Sequence, residues 1–390
     1  VLLVDVLVVI LLVAALAIGA TRGLVAIAGS LAGLVVGSLL AVWAIPLIAP
    51  GVADWEYRSL VLTACAIGII ALVTVLGTAV GAALRRGVER AKLRVLDRLL
   101  GAGAATIAGA LVLLLGAGAV TASGMPVVST AVASSRVLGF IDALTPDPVD
   151  SALAEVRGFV VDEGIPRIGE LLRPEVEPTA PPVALDDPEL ERAAASVARI
   201  SGTAYACGVS MTGSGFVAGS DLIVTNAHVV AGVDAPLIEL PGQSPREGRV
   251  VAFDPVHDLA IIAVQDLAAA PIPITAPVAA GTAVAVQGYP LGGPFTSGSA
   301  FVVSVGVAPV ADIYDASRAP REIYALDADV RPGNSGGPLL TADGTIAGVV
   351  FARGADDERR GYAMTTDELL PVLESVDAGS PAVSSGRCTS

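Results

Sequence analysis

Hydrophobic positions change their spacing twice along this chain. Over the first 122 residues they form four continuous apolar runs, at about 2–20, 24–48, 59–83 and 101–122. A helix needs about 20 apolar residues to cross a bilayer core, so each run predicts a membrane-spanning helix. Between 123 and 187 the runs stop, and Pro146, Pro148, Pro166, Pro174, Pro178, Pro181 and Pro182 stand among scattered acids. That composition predicts an extended linker, in which only short amphipathic pieces such as 165–172 could pack on anything. From 188 onward short β-branched runs recur, at 222–225, 259–264, 301–307 and 345–351 among others, with Gly, Pro and Asp between them. This spacing predicts an all-β barrel or sandwich. Two helices bound it. Asp187-Pro188-Glu189 reads as an N-cap, a first-turn proline and a first-turn acid, opening a helix to about Arg199, and 367–373 forms the last helix. The predicted plan is a four-helix transmembrane domain (1–122), a Pro- and acid-rich linker (123–187) and an all-β domain (188–390).

Charge then orients the membrane part. The segment between the third and fourth runs carries Arg85, Arg86, Arg90, Lys92, Arg94 and Arg98, and Arg22 lies between the first two. Between the second and third runs stand Asp54, Glu56 and one base, Arg58. Basic short loops stay on the cytoplasmic side, so both ends and everything after residue 122 are expected outside it. The first run lacks a basic leader and is long for a signal peptide, which favours a membrane helix. Gly29, Gly33 and Gly37 recur every fourth residue, and Gly77 and Gly81 do so in the third run. Such faces let helix backbones approach closely, either within the four-helix unit or in self-association. Asp5 is the one acid in the first run, placed either for an intramembrane role or to reach the interface.

Composition narrows the function classes. A net charge of −15 gives nucleic-acid binding no electrostatic support. Of three cysteines, Cys65 sits in an apolar run, while Cys207 and Cys388 flank the β domain. A Cys207–Cys388 disulfide is expected if that domain faces an oxidising compartment. It would tie the last residues to the first part of the domain and let oxidation set the active conformation. The two histidines are 29 residues apart and no CxxC occurs, so neither a metal nor another cofactor is expected.

The chemistry centres on Arg331-Pro332-Gly333-Asn334-Ser335-Gly336-Gly337-Pro338-Leu339, which places a serine in a glycine-rich turn between apolar runs. A serine needs a base, and the base an orienting group. His228 closes a β-branched run, and Asp258 follows in His257-Asp258-Leu259-Ala260. The expected roles are Ser335 as nucleophile, His228 as general base and then acid, and Asp258 as the group that fixes the imidazole tautomer. Asp254 is the competing carboxylate and His257 the competing imidazole. The N–H groups of Gly333 and Ser335 are expected to form an oxyanion hole, with Asn334 setting the turn between them.

Four motifs in this order, Gly213-Ser214-Gly215-Phe216, Thr225-Asn226-Ala227-His228, His257-Asp258-Leu259-Ala260 and Gly333-Asn334-Ser335-Gly336-Gly337-Pro338-Leu339, resemble the trypsin/chymotrypsin superfamily. Gly288-Tyr289-Pro290-Leu291-Gly292 is similar to a loop of its bacterial HtrA-like branch. The resemblance implies a chymotrypsin-like double β-barrel. It also places Asp329 at the floor of the primary specificity pocket, to attract a basic side chain or to be neutralised by Arg331. It makes 351–353, with Phe351 and Arg353 at its ends, an edge for substrate backbone. Only about 50 residues follow Ser335, and they are needed to finish the barrel, so gating by a following PDZ domain is not expected. Val4-Asp5, the long first run and Ala20-Thr21-Arg22-Gly23 resemble the colicin V production (CvpA) family. The whole arrangement resembles mycobacterial membrane-anchored serine proteases. That implies a multi-pass inner-membrane endopeptidase with its protease domain on the periplasmic side, processing envelope proteins and supporting survival of acid and oxidative stress. The rival readings are a catalytically silent sensor on a membrane anchor and a transport subunit.

Overall fold

The computed structural model describes residues 2–48, 58–90, 94–122, 128–146, 148–149, 152–153, 165–169, 171–172, 176, 181–204, 209–355, 357 and 359–389. Cys207, the loop carrying Asp54 and Glu56, and much of the linker lie outside these residues. The chain divides into two compact units, Leu2–Leu114 and Leu115–Ser390.

The first unit is helical: α1 (Leu2–Arg22), α2 (Leu24–Ile48), α3 (Arg58–Arg90) and the start of α4 (Arg94–Ala122). All four are long and apolar enough to cross a membrane. α3 and α4 extend beyond the predicted runs at their charged ends, because helix geometry continues past the apolar stretch that predicts it. α2 packs on α3 through the glycine faces. A Cβ placed on Gly29 would lie 2.5 Å from the Gly77 carbonyl oxygen, and one on Gly77 would lie 2.3 Å from that of Gly29. This face is therefore filled within the unit. Asp97 was not singled out in the sequence. It is buried, and its Oδ1 accepts the Val25 N–H at 3.1 Å, satisfying a donor in the first turn of α2.

In the second unit α5 (Val128–Ala133), α6 (Arg136–Leu144) and the short strand β1 (Arg167–Ile168) precede α7 (Pro188–Ala194). The Asp187 side chain caps α7 by accepting the Glu189 N–H at 2.9 Å. The helix stops earlier than expected. Val197, Ile200 and their neighbours enter β2 (Val197–Ala204), where Phe216 and its neighbours pair with them. β3 (Val209–Gly219), β4 (Leu222–Thr225), the one-turn helix α8 (Ala227–Val230), β5 (Leu237–Glu239), β6 (Arg246–Glu247), β7 (Arg249–Asp254) and β8 (Leu259–Ala263) complete the first half. Its sheet runs β6-β5-β2-β3-β4-β8-β7.

The second half comprises β9 (Ala283–Gly288), a 3₁₀ turn (Pro290–Gly292), β10 (Thr296–Ala311), β11 (Arg318–Asp327), β12 (Pro338–Leu340), β13 (Ile346–Gly354), β14 (Arg360–Thr365) and α9 (Thr366–Leu373). Its sheet runs β1-β13-β12-β9-β10-β11-β14, and β13 also pairs with β14, so the sheet closes on itself. Val284, Val302, Leu326, Leu339 and Val350 fill its core, while Ile200, Ile223, Ile238 and Ile262 fill that of the first half. The fold is the expected chymotrypsin-like pair of curled β sheets, with residues from both halves meeting in a shared apolar cluster. Ile165 belongs to the second half's core and Leu172 to the shared one, so these linker residues pack on the protease body.

Candidate active site

His228 rides on α8, directly after β4. Asp258 sits in the turn between β7 and β8 with φ +57°, a left-handed conformation unusual for a residue other than glycine. That turn aims the carboxylate at α8. Oδ1 accepts the His228 main-chain N–H at 3.0 Å, and Oδ2 lies 2.8 Å from Nδ1 of the ring. The Asn226 side-chain NH₂ donates to the Asp258 carbonyl oxygen at 2.9 Å, fixing the turn from behind. An ionised carboxylate only accepts hydrogen bonds, so Nδ1 carries the proton and Nε2 keeps its lone pair. Both side chains are about 5% exposed.

Ser335 lies in the loop between β11 and β12, 2% exposed. Its loop abuts the segment leading into α8: a Cβ placed on Gly336 would lie 3.0 Å from the Asn226 nitrogen. Among the described residues neither Ser335 Oγ nor His228 Nε2 has a hydrogen-bond partner, although both are buried. The Ser335–His228 hydrogen bond is therefore open in this conformer, a geometry compatible with a site that tightens on binding substrate.

The loop before Ser335 is held at several points. The Leu291 N–H donates to the Pro332 carbonyl oxygen at 2.7 Å. In a trans peptide C=O and N–H point opposite ways, so the Gly333 N–H points away from Leu291. Gly333 has φ +91°, and a Cβ there would sit 2.4 Å from the Tyr289 carbonyl oxygen, so only glycine fits. Among the described residues neither the Gly333 nor the Ser335 N–H has an acceptor. Asn334 acts through its side chain as well as its backbone, since its Oδ1 accepts the Arg331 N–H at 2.9 Å.

Ser214 is the residue whose part sequence reasoning missed. Its Oγ donates to the Gly333 carbonyl oxygen at 2.7 Å and accepts the Tyr289 N–H at 2.9 Å, while its own N–H donates to the Ser335 carbonyl oxygen at 2.8 Å. The signal was a serine between two glycines, Gly213 and Gly215.

The remaining candidate side chains make contacts of their own. Arg331 pairs bidentately with Asp329, its Nη2 2.9 Å and its Nε 3.1 Å from Oδ2, and both side chains are more than half exposed. Phe351 is buried under the Arg321 guanidinium, which lies 5.8 Å from its ring centre. Arg353 lies near the end of β13, and its N–H donates to the Pro166 carbonyl oxygen at 3.0 Å. His257 makes a separate couple with Asp254, Nδ1 to Oδ2 at 2.7 Å. Burial raises the Asp254 pKa, but hydrogen bonds from His257 and from the Val256 N–H outweigh it and hold the group below its ordinary value. Cys388 is disulfide-bonded and Cys65 is free. Among the described residues no cluster of His, Cys, Asp and Glu is arranged to hold a metal.

Fold and motifs together define a trypsin-like serine protease carried behind membrane helices. Residues 213–349 match the trypsin-like peptidase domain family, and residues 4–146 match the colicin V production protein family. The serine protease Rv3671c of Mycobacterium tuberculosis is 32% identical over 316 residues, covering 80% of this chain and 79% of that one. The chain belongs to the Rv3671c family of serine proteases. The crystal structure of the Rv3671c protease in its active form is 35% identical, covers 58% of this chain and all of that one, and superposes with a TM-score of 0.53. The putative serine protease HhoA of Synechocystis is 33% identical over 43% of each chain.

Proposed function

We propose that this protein is a membrane-anchored serine endopeptidase in which Ser335, His228 and Asp258 form the catalytic triad. The observation that carries this is the double grip of Asp258 on His228. It fixes main chain and ring together and leaves Nε2 as the only basic nitrogen of the ring. Ser335 Oγ attacks the scissile carbonyl as Nε2 takes its proton. The tetrahedral oxyanion forms against the Gly333 and Ser335 N–H groups, and collapse sends the proton from Nε2 to the leaving amine. Water then repeats the sequence on the acyl-enzyme. Substrate residues N-terminal to the scissile bond lie as an added strand along 351–353. Arg331 already occupies the Asp329 carboxylate, which favours a primary pocket without basic preference; a peptide panel in which Lys and Arg are favoured would refute that.

The protease domain faces the periplasm, as the basic residues around 85–98 and at Arg22 support. Its substrates are envelope proteins. By resemblance to the mycobacterial enzymes, its cleavage supports survival of acid and oxidative stress. The disulfide of Cys388 is with Cys207. Self-association through Gly29, Gly33 and Gly37 is disfavoured, because α3 fills that face.

The test is fluorophosphonate labelling of the full chain in detergent, with the labelled peptide mapped by mass spectrometry. Labelling at Ser335 that disappears in His228→Ala is expected. A folded protein that never labels would leave the rival reading, a silent protease fold used as a sensor.

A further inference from the structure

β13 has two edges. Along one it pairs with β14, from Gly348 opposite Thr365 to Arg353 opposite Gly361. Along the other it pairs with β12 as far as Val349. The next contact on that second edge is the catalytic loop itself. The Gly336 N–H donates to the Val350 carbonyl oxygen at 2.8 Å, and the Val350 N–H donates to that of Gly337 at 3.0 Å. Three residues further, about 10 Å along a strand, the same edge is taken by β1. The Arg353 N–H donates to the Pro166 carbonyl oxygen at 3.0 Å, and the Ala355 N–H donates to that of Ile168 at 2.9 Å. The edge beside Ser335, which a substrate must use as an added strand, is thus occupied by the chain's own linker.

The direction of that occupant is the informative part. β13 leads away from the Ser335 loop as it runs from Val350 to Gly354. A substrate lying there must deliver a carbonyl carbon to Ser335 at its C-terminal end, so it runs antiparallel to β13. β1 runs parallel, with Arg167 opposite Arg353 and Ile168 opposite Gly354. Ile165, on the N-terminal side of β1, therefore lies at the end of the segment nearer Ser335. A chain laid this way fills the hydrogen-bonding positions without presenting a bond in the sense acyl transfer requires.

The segment is also anchored. Ile165 is 6% exposed and belongs to the core that contains Ala328, Val330 and Val350. The Tyr362 hydroxyl donates to the Gly169 carbonyl oxygen at 3.2 Å, and downstream the Val176 N–H donates to that of Val303 at 2.8 Å.

We propose that Ile165–Gly169 is a built-in competitor for the substrate edge, bound in reverse, which an extended polypeptide substrate must displace before cleavage. The inference rests on the reading of 351–353 as the substrate edge. Short reagents that need only Ser335 are not held back, whereas substrates that extend along β13 compete with the linker.

Two measurements on the full chain in detergent test this. In the first, Ile165→Ser is compared with wild type on a hexapeptide substrate and on a small fluorophosphonate. The expected result is a KM lowered several-fold for the peptide with unchanged labelling of Ser335. An unchanged KM in a folded variant overturns the proposal. The second needs no variant: hydrogen exchange of the wild-type chain with and without a peptide boronate spanning four residues. The proposal expects faster exchange in 165–169 on binding, with Arg353 still protected by the incoming strand. If the boronate binds and protects Arg353 while 165–169 stays slow, the competitor is disproved and the edge reading stands. If it binds without changing protection at Arg353, the edge reading itself fails, and the proposal with it.

Discussion

At the scale of single residues, the proposed triad follows from restrictive chemistry: two histidines and a serine in the Gly333–Gly337 turn leave few combinations. The choice between Asp258 and Asp254 is argued by geometry. Asp258 reaches both the main chain and the ring of His228, while Asp254 holds His257 and the Val256 N–H. Asp258→Asn should therefore cut turnover by roughly 10⁴-fold through the wrong tautomer, and Asp254→Asn should leave turnover near wild type. Asp254 instead carries a pH-dependent part of stability. Its folded pKa lies below the ordinary carboxylate value, so its stabilisation is complete above about pH 4. It is lost as pH falls through the depressed folded value. Removing its charge should cost about 1 kcal/mol at pH 7, discounted for partial exposure. Thermal melts of Asp254→Asn and wild type should differ at pH 7 and converge as pH falls below the depressed folded value. Ser214 was not legible as a supporting group, since its role depends on three chain segments that are distant in sequence. Its Oγ joins Gly333 to Tyr289. Ser214→Ala should lower kcat roughly tenfold to a hundredfold, from about 1–3 kcal/mol of lost and unsatisfied hydrogen bonding. KM should change little, because the proposed oxyanion donors would act mainly in the transition state. A loss confined to KM would show that Ser214 supports substrate binding instead.

At the scale of elements, what the sequence carries is what a single segment decides for itself. The four apolar helices and strands such as Leu222–Thr225 and Leu259–Ala263 are rich enough in apolar or β-branched residues to be read without partners. β1 is different. Two residues between Pro166 and Gly169 have no strand signal of their own, and they become a strand because β13 leaves an edge open. The end of α7 is likewise set from outside, by the pairing of Val197 with Phe216. The glycine faces of α2 and α3 were legible as a packing device but not as to partner. Their fit makes a direct prediction. A side chain on Gly77 would meet the Gly29 carbonyl oxygen and the Gly33 Cα within 3 Å, whereas one on Gly103 of α4 meets nothing within 4 Å. Gly77→Leu should force the helices apart at a cost of about 1–3 kcal/mol or more, lowering the thermal transition of the full chain in detergent. Gly103→Leu, equal in volume, should not. Equal effects of the two would mean that added bulk, not the α2–α3 contact, is what the unit resists.

At the scale of the whole molecule, the change from apolar runs to β-branched strands marks membrane helices followed by a protease, and both family matches fall on that division. Less visible was how far the ends of the second unit fold back on it. The C-terminal tail crosses the first half of the protease. The Val383 N–H donates to the Val250 carbonyl oxygen at 2.9 Å, and the Gly232 N–H donates to that of Ser385 at 3.0 Å. A Cβ on Gly232 would lie 2.9 Å from Cys388 Sγ. Gly232 is four residues beyond His228, so the disulfide-bonded tail rests on the segment that carries the proposed base. If Cys388 is joined to Cys207, the bond closes a loop of about 180 residues, and removing it should destabilise the domain by roughly 2–5 kcal/mol. Cys388→Ser, or reduction of the wild type, should lower the thermal transition by an amount that does not change when both are combined. Turnover should fall with it, because releasing the tail frees Gly232 and loosens α8. Cys65→Ser, which removes the free thiol, is the control and should change neither quantity. A reduced protein with an unshifted transition would show that backbone hydrogen bonds alone hold the tail in place.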